Sequence, residues 1–289
     1  MSGTESADPR FAEIDRWPTD RAVAAMIDGQ RAAVAALDGL APAIAAAAEA
    51  AAARLGRAGR IAYAGAGTSA RLAVQDGVEL TPTYGWPEER LAYLIAGGLP
   101  ALTHGIEGAE DDADAARRAV AEQGIGPGDV LIGVAASGRT PYTVAAVEAA
   151  RGAGALTIAI ASNAGTPLLA AAAHPLPVDT GAEVIAGSTR MKAGTAHKAA
   201  LNILSTAIML RLGRVHRGRM VAMRISNAKL LARAQAMVAE LAGVDDDTAR
   251  GALDAAERDI RVAVLVARGI PPDEARRRLS DAGGDLGAI

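Results

Sequence analysis

Between residues 20 and 55 the apolar positions Val23, Met26, Ile27, Val34, Leu37 and Leu40 recur mostly at spacings of three and four or their sums, the pattern of a helix. Pro42 opens a second helix. The pattern then changes to short apolar runs ended by Gly or Ser, at 60–64, 91–96, 129–135, 155–161 and 175–178, which read as buried parallel strands. Stretches rich in Ala, Glu and Arg at 111–123 and 141–151 lie between them and suit crossover helices. Such a βαβ series predicts an α/β fold, an open doubly wound parallel sheet flanked by helices. One long apolar helix is expected over 190–212, with Leu201, Ile203, Leu204, Ile208 and Leu210 along it. Past Arg219 the strand signal fades, and helical segments at 227–241, 247–256 and 272–279 are separated by Gly243 and by Gly269 with Pro271 and Pro272. The expected organisation is a helical segment, 1–55, packed on a sheet domain, 56–222, and a small all-helical C-terminal region, 223–289.

Composition refines this picture. The chain of 289 residues is 51% hydrophobic, but Ala dominates that count, so closely packed helices are expected rather than a voluminous core. With 22% charged residues it buries enough surface to fold as a globule. Thirty Lys and Arg against 33 Asp and Glu, net −3, leave no basic footprint for nucleic acid. The absence of Cys removes disulfides, thiolate nucleophiles and zinc-thiolate sites, and leaves carboxylates, hydroxyls, His and Lys to carry any chemistry. The first twenty residues, with Glu5, Asp8, Arg10, Glu13, Asp15 and Arg16, do not resemble a signal peptide. The most apolar stretch, 41–53, is broken by Pro42 and Glu49 and is shorter than the roughly 20 residues a membrane span needs. A cytoplasmic protein with neither membrane nor nucleic-acid partner is expected.

Two loops carry the chemistry. Gly65-Ala66-Gly67-Thr68-Ser69-Ala70-Arg71 joins a strand to a helix, where glycines let backbone approach a ligand, and hydroxyls and free amides suit phosphate. It is neither a Walker loop nor a dinucleotide fingerprint, and alone its weaker alternative is an ordinary tight turn with a Ser or Thr N-cap. Ala135-Ala136-Ser137-Gly138-Arg139-Thr140-Pro141 repeats the context after the third strand, so Ser69, Ser137 and Thr140 are expected to converge at the strand ends. A third polar segment, Gly187 to Thr195 with Arg190 and Lys192, opens the long helix; cations there oppose the helix dipole and favour an anionic visitor. Acids cluster at Asp76 to Glu79 and at Glu107-Gly108-Ala109-Glu110-Asp111. His104, His174, His197 and His216 show no metal-ligand spacing, so no metal is expected, and no Gly-x-Ser-x-Gly elbow marks an activated serine.

At these motifs, together with Thr4-Glu5, 13–15, 79–85, 95–98 and 275–279 followed by Gly283-Gly284, the chain resembles the sugar isomerase (SIS) domain family and, within it, the N-acetylmuramic acid 6-phosphate etherases, over nearly its whole length. It departs from the usual pattern of those enzymes at Gln75, Gly77, Val78, Thr81 and His197. The resemblance implies a lyase that cleaves the lactyl ether of N-acetylmuramic acid 6-phosphate to N-acetylglucosamine 6-phosphate and D-lactate in cell-wall sugar recycling, without cofactor, as a cytoplasmic homodimer. It implies Glu79 as the acid that protonates the departing lactate and Glu110 as the second catalytic carboxylate, the C2 base. It places Gly67, Thr68, Ser69, Glu107, Ser137, Gly138, Thr140, Ser188, Thr189, Arg190 and Lys192 around the sugar phosphate. An aldose-ketose isomerase needs a similar base and phosphate pocket, but the acid pair favours the etherase. A non-catalytic sugar-phosphate sensor would be built from two such domains, for which this chain has no length, and a transcriptional regulator would carry a basic recognition helix.

Overall fold

In the computed structural model, which describes residues 3–289, the five apolar runs form one parallel sheet in the order β2-β1-β3-β4-β5. Its strands are β1 (Ile61–Gly65), β2 (Leu91–Ile95), β3 (Val130–Val134), β4 (Leu156–Ala161) and β5 (His174–Pro177), each within a residue or two of the apolar run that announced it. The helices of this part are α1 (Thr19–Ala35), α2 (Ala41–Leu55), α3 (Gly67–Tyr84), α4 (Ala113–Glu122), α5 (Pro141–Gly152), α6 (Pro167–Ala171) and α7 (Lys192–Arg211). By packing, the described residues up to Gly77 join Glu89–Ser205 in one compact unit, and Val78–Glu88 join Thr206–Ile289 in a second.

Side chains alternate across a strand, and here the alternation sorts them by size. One face of the sheet presents Ala62, Ala64, Ala92, Leu131, Ala159 and Ala161, which form a core with the buried sides of α4, α5 and α6. Gly133 belongs to the same face, and a Cβ there would stand 2.5 Å from Val147 Cγ2 on α5. Small residues therefore set how near α5 lies. The opposite face carries Ile61, Tyr63, Ile132, Ile158 and Ile160, all fully buried, and the Ala-rich side of α2 (Ile44, Ala47, Ala48, Ala51) packs on that side of the sheet. Large strand residues meet a small-residue helix on one side, and mostly small strand residues meet α4, α5 and α6 on the other. Although a window within Thr19–Leu55 is apolar enough to cross a membrane, it is broken at Asp38–Leu40 and α2 spends its apolar face on the sheet.

The polar group that ties these layers together is Asp76. Its carboxylate accepts hydrogen bonds from Tyr63 Oη of β1 at 2.9 Å, Asn202 Nδ2 of α7 at 2.9 Å and Ser205 Oγ of α7 at 3.1 Å. Burial raises the pKa of Asp76, and the three hydrogen bonds and the charge of Lys198 oppose that rise without cancelling it.

Helix α3 runs on through Pro82 to Tyr84. The proline sits in the last turn, its carbonyl receives Arg224 N at 3.1 Å, and the chain leaves the helix at Gly85, whose φ of +59° ends it. The second unit builds its own core from α8 (Ala228–Ala242), α9 (Asp246–Ala255), α10 (Ile260–Ala267) and α11 (Pro272–Asp281), with Val238, Leu241, Leu253, Val264, Leu265 and Leu279 inside. Helix α10 was not foreseen: its run of Val and Ala has no 3.6-residue stripe because it is buried nearly all round. The readable signal was Asp259, whose carboxylate accepts the amides of Arg261 and Val262 as an N-cap.

Replacing Asp76 by Ala leaves the buried Tyr63 and Ser205 hydroxyls and the Asn202 amide without their acceptor and is expected to cost about 2–4 kcal/mol, read by urea denaturation. Asp76→Asn keeps an acceptor in place and should lose less than half of that; equal losses would show that the hydrogen bonds are not the source of the stability.

Candidate active site

Strands β1 and β3 are hydrogen-bonded neighbours, with Gly65 paired to Val134. The chain leaves β1 toward β2 on one side and β3 toward β4 on the other, so the two following loops part over a crevice at the point where strand order reverses. Gly65 fixes the first loop: a Cβ on it would lie 3.1 Å from Ala70 N and 3.2 Å from Val134 O, so helix α3 starts directly against the strand end. Thr68 and Ser69 occupy its first turn. In the second loop Ser137 Oγ accepts Arg139 N at 3.1 Å. Gly138 follows with φ +64°, and a Cβ there would fall 2.3 Å from Thr166 Oγ1, so no other residue fits. Thr140 holds the N-cap position of α5 but makes no capping hydrogen bond, which leaves its hydroxyl for a ligand.

These loops border a cleft of about 440 Å³, and its walls bring Thr68, Ser69, Ser137 and Thr140 together as expected. Gly67, Glu110 and Thr189 also line it, and so do Glu5, Asp111, Arg139, Gly194 and His197, which the sequence had not singled out as site residues. Hydroxyls, the free amides of a helix start and one guanidinium on one wall suit a phosphate. Carboxylates on the rim suit proton transfer.

Several expected residues stand elsewhere. Glu107 and Gly138 are not among those that line the cleft, although Gly138 shapes the loop that does. Ser188, Arg190 and Lys192 do not line it either. Lys192 Nζ donates to Ala182 O at 2.8 Å, and the amides of Lys192 and Ala193 at the start of α7 donate to Glu183 at 2.8 and 2.9 Å. The anion expected at this helix start is thus internal: Glu183, fully buried, neutralises it. No spacing in the sequence marks Glu183, because its partner amides lie nine and ten positions away across a loop. Glu79 is exposed on the last turns of α3, in the second unit.

His197 stands at 0% exposure in the cleft wall, with Nε2 2.9 Å from Ser162 Oγ and Nδ1 without a hydrogen-bond partner among the described residues. Burial lowers its pKa to about 4, so the ring is neutral at pH 7. An unfolded chain protonates this ring near pH 6.5, and the folded chain resists until about pH 4. Its contribution is therefore intact above pH 6.5, is lost as pH falls toward 4, and changes no further below that. Urea denaturation at pH 7.5 and pH 5 should show a smaller acid loss for His197→Gln than for the parent chain; an unchanged loss would place the acid sensitivity in other groups.

The glucokinase regulatory protein N-terminal SIS domain matches residues 43–151, and the SIS domain matches residues 113–207. The chain is 49% identical, over 97% of its length and 92% of the relative's, to the N-acetylmuramic acid 6-phosphate etherase of Deinococcus radiodurans. It is 45% identical to that of Streptomyces coelicolor, over 99% and 92%. Among solved structures, a putative phosphosugar isomerase involved in capsule formation from Bacteroides fragilis superposes with a TM-score of 0.53 at 20% identity, covering 70% of this chain and 99% of that one. A phosphoheptose isomerase from Francisella tularensis gives 0.51 at 20% identity, covering 67% and 100%. At that identity these two structures speak for the fold alone.

Proposed function

We infer the chemistry of the cleft from one premise: this chain belongs to the family of N-acetylmuramic acid 6-phosphate etherases. Its activity is that of a carbon-oxygen lyase, which releases D-lactate from N-acetylmuramic acid 6-phosphate and leaves N-acetylglucosamine 6-phosphate, a step in the reuse of cell-wall amino sugars. The observation that carries this reading to the residues is the meeting of Thr68, Ser69, Ser137 and Thr140 with Glu110 around one cleft.

The four hydroxyls and the α3 amides hold the phosphate and so fix the sugar, which supplies the orientation a stepwise proton transfer needs. In the open-chain sugar the C1 aldehyde acidifies the C2 proton. Glu110 removes that proton, the electron pair forms the C2–C3 double bond, and the C3–O bond breaks with the oxygen leaving on lactate. Glu79 protonates that oxygen, then takes a proton from water as the water adds at C3, and the proton held by Glu110 returns to C2. One water is consumed and no electrons are exchanged, so the residues need neither a metal nor a redox cofactor for any step.

Glu79 reaches this chemistry in a homodimer, where a second protomer lies against the cleft. The exposure of the Glu79 side chain, which leaves its carboxylate open to a second protomer, supports that arrangement. The compartment that fits such an enzyme is the cytoplasm, where the sugar phosphate is held.

Glu79→Gln and Glu110→Gln are each expected to slow lactate release by on the order of 100- to 10,000-fold. Both side chains are exposed, so thermal melting should stay that of the parent. Mixing and re-forming the two inactive variants should restore measurable activity, because half of the mixed dimer's sites then hold both carboxylates. A variant with parental turnover would remove its residue from the mechanism, and mixtures that stay inactive would place both carboxylates in one chain.

A further inference from the structure

Residues 3–6 are anchored on the sheet unit. Thr4 is fully buried. Its amide donates to Asn163 Oδ1 at 3.2 Å, and Asn163 Nδ2 donates back to Thr4 Oγ1 at 3.0 Å. The same Nδ2 donates to Ala136 O at 3.0 Å, in the loop that carries Ser137. Gly3 has φ +62°, and a Cβ on it would overlap Asn163 Oδ1 at 1.7 Å, so the contact requires glycine. Ser6 closes the segment by donating its amide and its hydroxyl to Gly3 O at 3.1 and 2.6 Å.

This anchor has a consequence for the next side chain. With Thr4 turned inward, Glu5 is left exposed, and it lines the cleft. Its Oε2 lies 3.8 Å from where a Cβ on Gly187 would stand, beside the turn that supplies Thr189 to the same cleft. Among the described residues no hydrogen bond or ion pair engages the Glu5 carboxylate. A specific buried anchor thus holds an unpaired acceptor at the mouth of the site.

We propose that Glu5 is a substrate-binding residue, whose carboxylate accepts hydrogen bonds from the hydroxyl or amide N–H groups of the amino sugar. An ionised carboxylate offers only lone pairs, so it selects donors. It also repels a second anion, so the phosphate is turned toward the hydroxyl loops and the sugar enters in one direction. Asn163 acts as its positioning residue. This proposal rests on the sugar-phosphate reading of the cleft and adds to it a contact from the N-terminal segment.

Calorimetric titration of the full chain with N-acetylglucosamine 6-phosphate and, separately, with inorganic phosphate tests it. Glu5→Gln is expected to weaken the sugar phosphate by roughly 10- to 100-fold, the worth of a charge-assisted hydrogen bond, and to bind inorganic phosphate as well as the parent or better. Asn163→Ala should give a comparable loss, and the double variant should lose little beyond either single one, because both changes remove the same contact. Parental affinity of Glu5→Gln for the sugar phosphate would overturn the proposal, as would an equal loss for both ligands. A parent chain that binds neither ligand would instead bring down the sugar-phosphate reading on which Glu5 depends.

Discussion

The pairing of β1 with β3 is the constraint on which the site depends. These strands are adjacent in the sheet but not in the sequence, and the whole of α3, β2 and α4 is looped out between them. Because both strands are buried on both faces, their register is held by the packing of every side chain along them. Their C-terminal ends therefore emerge side by side, and the hydroxyls of two loops separated by about seventy positions meet in one cleft without further device. Small residues make the meeting close enough: Gly65 lets α3 begin on the strand end, Gly133 lets α5 settle on β3, and Gly138 turns the second loop past Thr166.

The distribution of carboxylates follows from the same architecture. Asp76 and Glu183 are buried and fully engaged, one binding β1 to α3 and α7, the other closing the start of α7. Glu5, Glu110 and Asp111 are exposed and face the cleft. The buried acids are spent on structure, and their removal leaves donors unsatisfied. The exposed ones remain available to exchange protons with a ligand or to accept its hydrogen bonds.

Much of this was legible in the residues. The five strands announced themselves as apolar runs between Gly and Ser, since a parallel strand buried on both faces has no polar alternation to hide it. The two hydroxyl loops were legible for the same local reason, each lying between a strand and a helix. What was hidden depended on distance in three dimensions. Lys192 looked like an anion ligand until Glu183 and Ala182 O claimed the helix start and its ammonium. Glu5 lay in a recognised segment, but its place in the cleft is set by Asn163, far along the chain. Helix α10 escaped because its burial on nearly all sides erases the periodicity by which helices are read.

The central claim is that the cleft breaks the C3–O bond of the sugar by elimination and rebuilds the C3 hydroxyl from water. Turnover of N-acetylmuramic acid 6-phosphate in water enriched in heavy oxygen, followed by mass spectrometry of both products, tests it directly. The account predicts the heavy atom at C3 of N-acetylglucosamine 6-phosphate and none at the hydroxyl of D-lactate, which keeps the original ether oxygen. Heavy oxygen in the lactate hydroxyl, with none at C3, would mean that the bond broke on the lactyl side and would contradict the account.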